Sequence, residues 1–227
     1  MRTFVVGDIH GAYRALVQVL DKVSFDPKED KLIVIGDVCD GWPETYEVVD
    51  YLLQCDNVVS VLGNHDLWFL DWLNDTIDDI SYNSWYRQGG ASTIRSYSEK
   101  TNFSFPQSHI DFVANMKPYH IENNKLYVHG GFIRSVPLHE QDTYDLVWDR
   151  SLWYVAKETQ QQVDGWDDIF IGHTSIGKGP PVQCGNVINL DTGAGWDGVL
   201  TLMNVDTKKY VQSDLVMNMY PESNGRF

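Results

Sequence analysis

The sequence has few of the features that mark several large classes of protein. It holds only three cysteines in 227 residues, Cys39, Cys55 and Cys184, and their spacing does not repeat. An odd, scattered set of cysteines argues against a disulfide framework and favours a reducing compartment. No apolar run approaches the roughly 20 residues that a membrane-spanning helix needs. We therefore expect a cytoplasmic protein without a membrane partner.

Basic residues are also scarce. The chain has 17 Lys and Arg against 32 Asp and Glu, which gives a formal net charge of −15. Proteins that bind a nucleic-acid backbone normally present a basic stripe, so we expect no nucleic-acid partner. The bulk charge does not decide the local potential of a site, however. Where acidic side chains converge on metal ions, the cations set that potential and can attract a phosphate.

Apolar residues are abundant enough for one large core. They make up 43% of the chain, and aromatic residues make up 13%. This content fits one domain better than two. We predict a single domain over residues 1–220, followed by a frayed segment at 221–227.

The first third of the chain alternates between two kinds of pattern. Short β-branched runs at 3–6, 32–35 and 58–62 alternate with helical patterns at 15–23 and 46–53. This order predicts a β-α-β-α-β unit with a buried parallel sheet. Helical patterns follow to about residue 116. Strand patterns return from residue 126, and we expect them to form a mixed second sheet.

Polar residues follow a glycine at the end of each of the first three strands. The segments are Gly7-Asp8-Ile9-His10-Gly11, Gly36-Asp37-Val38-Cys39-Asp40-Gly41 and Gly63-Asn64-His65-Asp66. Two later strand ends carry Val128-His129-Gly130-Gly131 and Ile171-Gly172-His173-Thr174. Sites in open α/β sheets form outside the carboxyl ends of the strands, so we expect these segments to converge. Each one alone could be an ordinary loop, but their joint occurrence favours a functional site.

Convergence would bring together oxygen and imidazole donors that suit first-row metals such as Mn, Fe or Zn. The donors are Asp8, His10, Asp37, Asn64, His129 and His173. Asp37 follows the middle strand and could bridge two ions about 3.5–4 Å apart. A bridging water on such ions has a pKa near about 7 and can attack a phosphate ester as hydroxide.

The ordered set of motifs resembles the calcineurin-like metallophosphoesterases and, within them, the serine/threonine phosphoprotein phosphatase (PPP-type) family, especially its small bacterial and phage members. The resemblance runs from Gly7 to about Gly193. It implies an α/β fold, a four-layer α/β/β/α sandwich with two mixed central sheets. It also implies two divalent ions, which we expect to be Mn²⁺ with Fe or Zn as alternatives. One ion would use Asp8, His10 and Asp37, and the other Asp37, Asn64, His129 and His173.

The resemblance also implies roles for three further residues. His65 would be the general acid that protonates the leaving oxygen, with Asp40 as its hydrogen-bonding partner. A carboxylate beside an imidazole raises its pKa and fixes its tautomer, which would keep that proton available. Arg150 would bind phosphate. Its alternative is a surface ion pair with Asp149.

The sequence departs from the family pattern at one important position. The family continues Asp-Arg-Gly after the second motif, and its arginine holds the phosphate, whereas this chain reads Asp40-Gly41-Trp42. Candidate substitutes for this arginine are Arg87, Arg134 and Lys178. Trp42 could stack on an aromatic ring of a substrate or pack against the following helix. Cys39 could be redox-sensitive or simply buried.

Three functions remain open at this stage. The leading hypothesis is hydrolysis of a phosphomonoester on a phosphorylated protein, a peptide or a small molecule, because Asp40 is retained. The alternative is a nucleotide phosphoanhydride hydrolase of the diadenosine-tetraphosphatase type, because such relatives share the metal motifs and differ mainly around Asp40-Gly41-Trp42. A non-catalytic metal-binding scaffold is the third, and only the missing arginine supports it.

Overall fold

Two five-stranded sheets form the centre of the fold in the computed structural model, which describes residues 1–226. The first has the order β10-β9-β1-β2-β3, with β1 at Thr3–Val6, β2 at Lys31–Val34, β3 at Val58–Ser60, β9 at Thr201–Asn204 and β10 at Tyr210–Gln212. The second has the order β4-β5-β6-β8-β7, with β4 at Tyr119–Glu122, β5 at Lys125–Val128, β6 at Asp168–Ile171, β7 at Val182–Cys184 and β8 at Val187–Asn189. Phe227, in the predicted frayed segment, lies outside the described residues.

Nine α-helices accompany the sheets in the described part of the chain. They are α1 at Tyr13–Lys22, α2 at Thr45–Gln54, α3 at Asn64–Leu73, α4 at Asp79–Trp85, α5 at Ala91–Thr101, α6 at Gln107–Ala114, α7 at Thr143–Trp148, α8 at Ser151–Thr159 and α9 at Val216–Met219. A π-helical turn at Tyr86–Gly90 joins α4 to α5, and a 3-10 turn lies at Leu138–Glu140. Among residues 1–226, no helix is both long enough and apolar enough to span a bilayer.

The first sheet contains the predicted parallel unit. β1 pairs with β2 and β2 pairs with β3, both in parallel register. We expected all later strands to enter the second sheet, and this was wrong for β9 and β10. β9 pairs antiparallel with β1, and β10 extends the same sheet beyond it. The connections through α1 and α2 place β2 and β3 on the same side of β1. The other edge of β1 is therefore free to pair with β9.

The two sheets pack face to face around a shared apolar layer. Val5 and Ile33 of the first sheet meet Tyr127 and Phe170 of the second in one buried cluster. Separate clusters join the outer face of the first sheet to α1 and α2 and the outer face of the second to α8. The layers are therefore helix, sheet, sheet and helix, which confirms the predicted four-layer α/β/β/α sandwich with two mixed sheets.

Phe170 tests how much the layer between the sheets contributes to stability. Its side chain is fully buried and its ring stacks on Tyr127 with centroids 5.0 Å apart. Phe170→Ala should lower the free energy of unfolding by about 3–5 kcal/mol, because it opens a cavity that the sheets cannot close. Phe103→Ala is the control, since Phe103 is 66% exposed, and should change it by no more than about 0.5 kcal/mol. Urea unfolding followed by circular dichroism measures both, and equal effects would contradict this packing.

Candidate metal centre

The polar segments converge at the carboxyl ends of the parallel strands. Asp8 and His10 follow β1, Asp37 follows β2, and Asn64 begins α3 directly after β3 and its connecting loop. The second sheet contributes the residues that follow β5 and β6, which are His129 and His173. All six of these side chains are buried. The structure thus brings together every residue that was predicted to bind metal.

The backbone adopts a left-handed conformation at several of these positions. The φ angle is 51° at His10, 49° at Asp37, 69° at Asp40 and 62° at His173. Residues other than glycine adopt such angles rarely. This kind of strain concentrates at functional sites, where the surrounding structure holds the chain in an unfavourable conformation.

Asp37 lies between histidines from the two sheets. Its Oδ2 is 3.5 Å from Nε2 of His10, and its Oδ1 is 3.3 Å from Nε2 of His129. The backbone N–H of His65 donates to the same Oδ1 at 3.0 Å. Each carboxylate oxygen therefore faces a different histidine, which is the arrangement that a bridging ligand requires.

Asn64 connects the two histidines of the second sheet. Its Oδ1 is 3.1 Å from Nε2 of His129 and 2.8 Å from Nδ1 of His173. The backbone N–H of His173 donates to Oδ2 of Asp8 at 3.0 Å, which ties this group to the first sheet. Donor atoms from both sheets therefore face one buried space.

Two observations show that this donor set fits metal ions. Asp8 Oδ1 and His173 Nε2 are buried and have no hydrogen-bond partner in the described part of the chain. One ligand atom from each of Asp8, His10 and Asp37 also lies within 4.8 Å of the others. Buried polar atoms normally have partners, and a cation would supply one here.

Glycines keep backbone and carboxylates close together. A Cβ added at Gly172 would lie 2.1 Å from Oδ1 of Asp8, and one added at Gly63 would lie 2.2 Å from Oδ1 of Asp37. Neither distance leaves room for a side chain. These two positions therefore require glycine for the carboxylates to reach the centre.

The hydrogen bonds of the histidines fix which nitrogen faces the centre. Nδ1 of His129 is 2.8 Å from the carbonyl oxygen of Ile35, and Nδ1 of His10 is 3.0 Å from that of Asp40. A carbonyl only accepts, so each Nδ1 carries a proton and donates it. Nε2 of each ring therefore faces Asp37, and it is the nitrogen that would bind a metal ion.

The charges of the centre are unbalanced without cations. Burial raises the pKa of Asp8 well above its usual value, and Asp191 adds to the rise. Burial opposes ionisation of Asp37 too, but the positive charge of His129 and its hydrogen bond to the carboxylate outweigh it and hold the pKa of Asp37 well below the usual value. Asp37 in turn raises the pKa of His129 to about 10 against the effect of burial. Bound cations would replace the proton that His129 otherwise keeps.

His65 and Asp40 form the predicted hydrogen-bonded pair. Nδ1 of His65 lies 2.8 Å from Oδ2 of Asp40, and both side chains are buried. Trp85 Nε1 donates to the same Oδ2 at 2.7 Å, and Thr93 Oγ1 donates to Oδ1 at 2.7 Å. These donors hold the carboxyl group in one orientation, which fixes the plane of the His65 ring.

The titration of this pair differs from the sequence-based expectation. We expected Asp40 to raise the pKa of His65, but burial lowers it to about 3, and the charge of Arg226 contributes. Burial also raises the pKa of Asp40 to about 8, against the hydrogen bonds from Thr93 and Trp85. Between a pH of about 3 and a pH of about 8 the pair therefore keeps one proton between the two side chains and carries no net charge. That proton is the one a general acid would need.

Arg150 lies beside the centre. Within residues 1–226, it does not form the surface ion pair with Asp149 that was the alternative to phosphate binding. Its Nη1 donates to the carbonyl oxygen of His173 at 3.0 Å and to Oγ1 of Thr174 at 3.1 Å. The carboxylate of Asp149 accepts from Ser151 Oγ at 2.6 Å and from the backbone N–H of Leu152 at 3.0 Å. A phosphate-binding role for Arg150 stays a prediction.

The structure also decides between the interpretations of the second motif. Trp42 is 1% exposed and its Nε1 donates to the carbonyl oxygen of Ala194 at 2.7 Å, so it packs in the core and does not stack on a substrate. Cys39 is buried as well, and burial raises its thiol pKa well above the usual value. Of the suggested arginine substitutes, Lys178 pairs with Asp197 at 3.2 Å.

Sequence reasoning missed several residues around the centre. Trp85 and Thr93 orient Asp40, and Arg226 lies 3.3 Å from His10. No sequence signal marked these three. Asp191 did have one, because it follows β8 in Leu190-Asp191-Thr192-Gly193, a strand end of the same kind as the others.

Comparisons with known proteins agree with this architecture. A sequence model of the calcineurin-like phosphoesterase family matches residues 1–200. The chain is 28% identical to a Pseudomonas fluorescens (strain SBW25) protein named symmetrical bis(5'-nucleosyl)-tetraphosphatase, over 91% of this chain and 92% of that one.

Solved structures share the fold at lower identity. A structure described as a candidate diadenosine tetraphosphatase has a TM-score of 0.67 and 19% identity, over 93% of this chain and 92% of that chain. A protein serine/threonine phosphatase from Saccharomyces cerevisiae has a TM-score of 0.60 and 15% identity, over 95% of this chain and 79% of that chain.

Asp37 provides a test of the predicted metal ligands. The wild-type protein should bind about two Mn²⁺ ions per chain, and Asp37→Asn should bind fewer than one, because the amide keeps the shape of the bridge but removes its charge. Equilibrium dialysis followed by elemental analysis measures the stoichiometry. Asp79→Asn makes the same change at an exposed position and should bind as the wild type does. Full metal content in Asp37→Asn would show that Asp37 is not a required ligand.

Proposed function

Because this chain belongs to the calcineurin-like phosphoesterase family, we propose that it hydrolyses dinucleoside tetraphosphates at the buried centre around Asp37. The membership makes it a metal-dependent phosphoester hydrolase. The observation that carries the finer proposal is the similarity over 91% of the chain to a protein named for this activity. The bond to be cleaved is a phosphoanhydride inside the tetraphosphate.

This substrate is favoured over the phosphoprotein that was the leading hypothesis. The likeness to the yeast serine/threonine phosphatase, at 15% identity, supports a shared fold and no more. A non-catalytic scaffold finds no support, since the donor set of the centre is complete.

Mn²⁺ is the proposed metal, with Fe or Zn as alternatives. The donors are carboxylate, amide and imidazole groups, which suit these ions. The one thiol near the centre, Cys39, has a pKa raised well above its usual value by burial and stays protonated. A donor set without thiolates argues against metals that select sulfur.

Bound ions would activate water as the nucleophile and neutralise charge on the phosphate. The rest of the chemistry falls to the chain. Asp37 and Asn64 hold the histidines of the two sheets in one arrangement, so that the reacting groups meet in fixed positions. His65 donates its proton to the leaving oxygen, and Asp40 keeps that proton available. Trp85 and Thr93 orient Asp40 for this step.

A comparison of substrates tests the proposed function. With added Mn²⁺, kcat/KM for a bis(5'-adenosyl) tetraphosphate should exceed that for a phosphoserine peptide and for an aryl phosphate by roughly 100-fold, because contacts along the larger substrate stabilise the transition state. The Asp37→Asn protein, prepared in parallel, shows whether turnover belongs to this site. Faster turnover of the peptide or the aryl phosphate would contradict the proposal.

The role of His65 can be tested separately. His65→Asn should lower kcat for an alkyl phosphate by about 10²–10⁴-fold, because an alkoxide leaves poorly without a proton. The loss should be smaller for the tetraphosphate, whose leaving group is itself a phosphate. His139→Asn is the matched control, since the side chain of His139 is 74% exposed, and should leave kcat unchanged. If His65→Asn loses metal instead, or keeps full activity on the alkyl phosphate, the assignment as general acid is wrong.

A further inference from the structure

Residues 221–226 return to the metal centre across Trp42. The ring of Tyr220 stacks on Trp42 with centroids 5.1 Å apart and an interplanar angle of 22°. A Cβ added at Gly225 would lie 2.9 Å from the Trp42 ring, so the backbone there is in close contact with the indole. Gly225 has a φ of 63°, which favours glycine. Trp42 thus forms a buried platform that directs the next residue, Arg226, towards the centre.

Arg226 reaches the predicted metal ligands from this platform. Its Nη1 lies 3.3 Å from Nε2 of His10, and its Nη2 donates to Oε1 of Gln88 at 3.3 Å. Its guanidinium carbon lies 4.5 Å above the centre of the Trp196 ring.

The partners of Arg226 leave its charge available to an anion. They are an imidazole, an amide oxygen and an aromatic ring, and no carboxylate lies within ion-pair distance of it in residues 1–226. Its Nε is buried and has no hydrogen-bond acceptor among those residues. Guanidinium groups bind phosphate through paired N–H donors. A half-buried arginine with neutral partners beside a phosphoesterase centre is placed to do so.

Arg226 also occupies the space that a side chain at position 41 would need. A Cβ added at Gly41 would lie 3.0 Å from Cγ of Arg226 and 3.3 Å from the carbonyl oxygen of His10. Gly41 has a φ of 113°, a conformation that an arginine would adopt only with strain. A side chain at position 41 and the side chain of Arg226 would therefore compete for the same space.

We propose that Arg226 binds the phosphate group that is being cleaved, in place of the arginine missing at Gly41. This rests on the proposed phosphoanhydride hydrolysis. The absence of a side chain at Gly41 leaves the space that Arg226 fills. Trp42 packs against Gly225, from which the chain leads to Arg226. The guanidinium would stabilise charge that develops on the phosphoryl oxygens.

The proximity of Arg226 to His10 has one competing explanation. The guanidinium could stand where a metal ion binds and leave when the ion arrives. In that case removal of Arg226 would strengthen metal binding and leave phosphate binding unchanged. If Arg226 binds phosphate, its removal would weaken phosphate binding and leave metal content unchanged. The two explanations therefore predict opposite results.

The test uses Arg226→Ala in the Mn²⁺-loaded protein, with inorganic phosphate as the probe. Affinity for phosphate, measured by calorimetry and as inhibition of turnover, should fall about 10-fold, and kcat/KM should fall about 100-fold through loss of transition-state stabilisation. Arg226→Lys, which keeps the charge but not the paired donors, should lose less. Lys157→Ala removes an exposed positive charge from α8 and should match the wild type.

A second variant changes the segment without changing the guanidinium. Gly225→Ala should displace residues 225–226 from Trp42 and weaken phosphate binding in the same direction as Arg226→Ala. The proposal would be overturned if Arg226→Ala bound phosphate as tightly as the wild type does, or if it bound Mn²⁺ more tightly. Binding of inorganic phosphate can be measured whether or not the protein cleaves tetraphosphates. A wild-type protein that binds phosphate but does not cleave tetraphosphates would therefore overturn only the proposed function.

Discussion

The carboxylate of Asp37 is the contact on which the rest of the site depends. It follows the middle parallel strand in a left-handed conformation, faces His10 with one oxygen and His129 with the other, and accepts the backbone N–H of His65. It therefore joins one sheet to the other and the proposed metal ligands to the proposed acid. Asp37 can do this only because Gly63 leaves space beside it.

A second constraint is that most of this polar site is buried. Burial raises the pKa of Asp8 and lowers that of His10, so it opposes the charged form of each of these two side chains. The same burial holds a proton on the pair of Asp40 and His65. One physical effect thus accounts for the demand for metal and for the retention of an acid. Fixed donors such as Thr93 keep the arrangement rigid without adding charge.

The features that could be predicted from the sequence are local ones. The parallel unit and the strand-end residues follow from short patterns of apolar residues and glycine, and the structure brings those residues together as expected. The pairing of β9 with β1 was missed, because the choice of an antiparallel partner depends on which edge the crossovers leave open. Arg226 was missed for a similar reason. Its position depends on packing against Trp42, far away in the chain, and no local pattern records that contact.

Electron paramagnetic resonance of the Mn²⁺-loaded protein tests most directly whether two ions share Asp37. Two Mn²⁺ ions bridged by one carboxylate, about 3.5–4 Å apart, are magnetically coupled. We expect the spectrum of a coupled pair in the wild-type protein at saturating Mn²⁺. The spectrum of isolated Mn²⁺ at every metal concentration would contradict the two-ion centre, whatever substrate the protein hydrolyses.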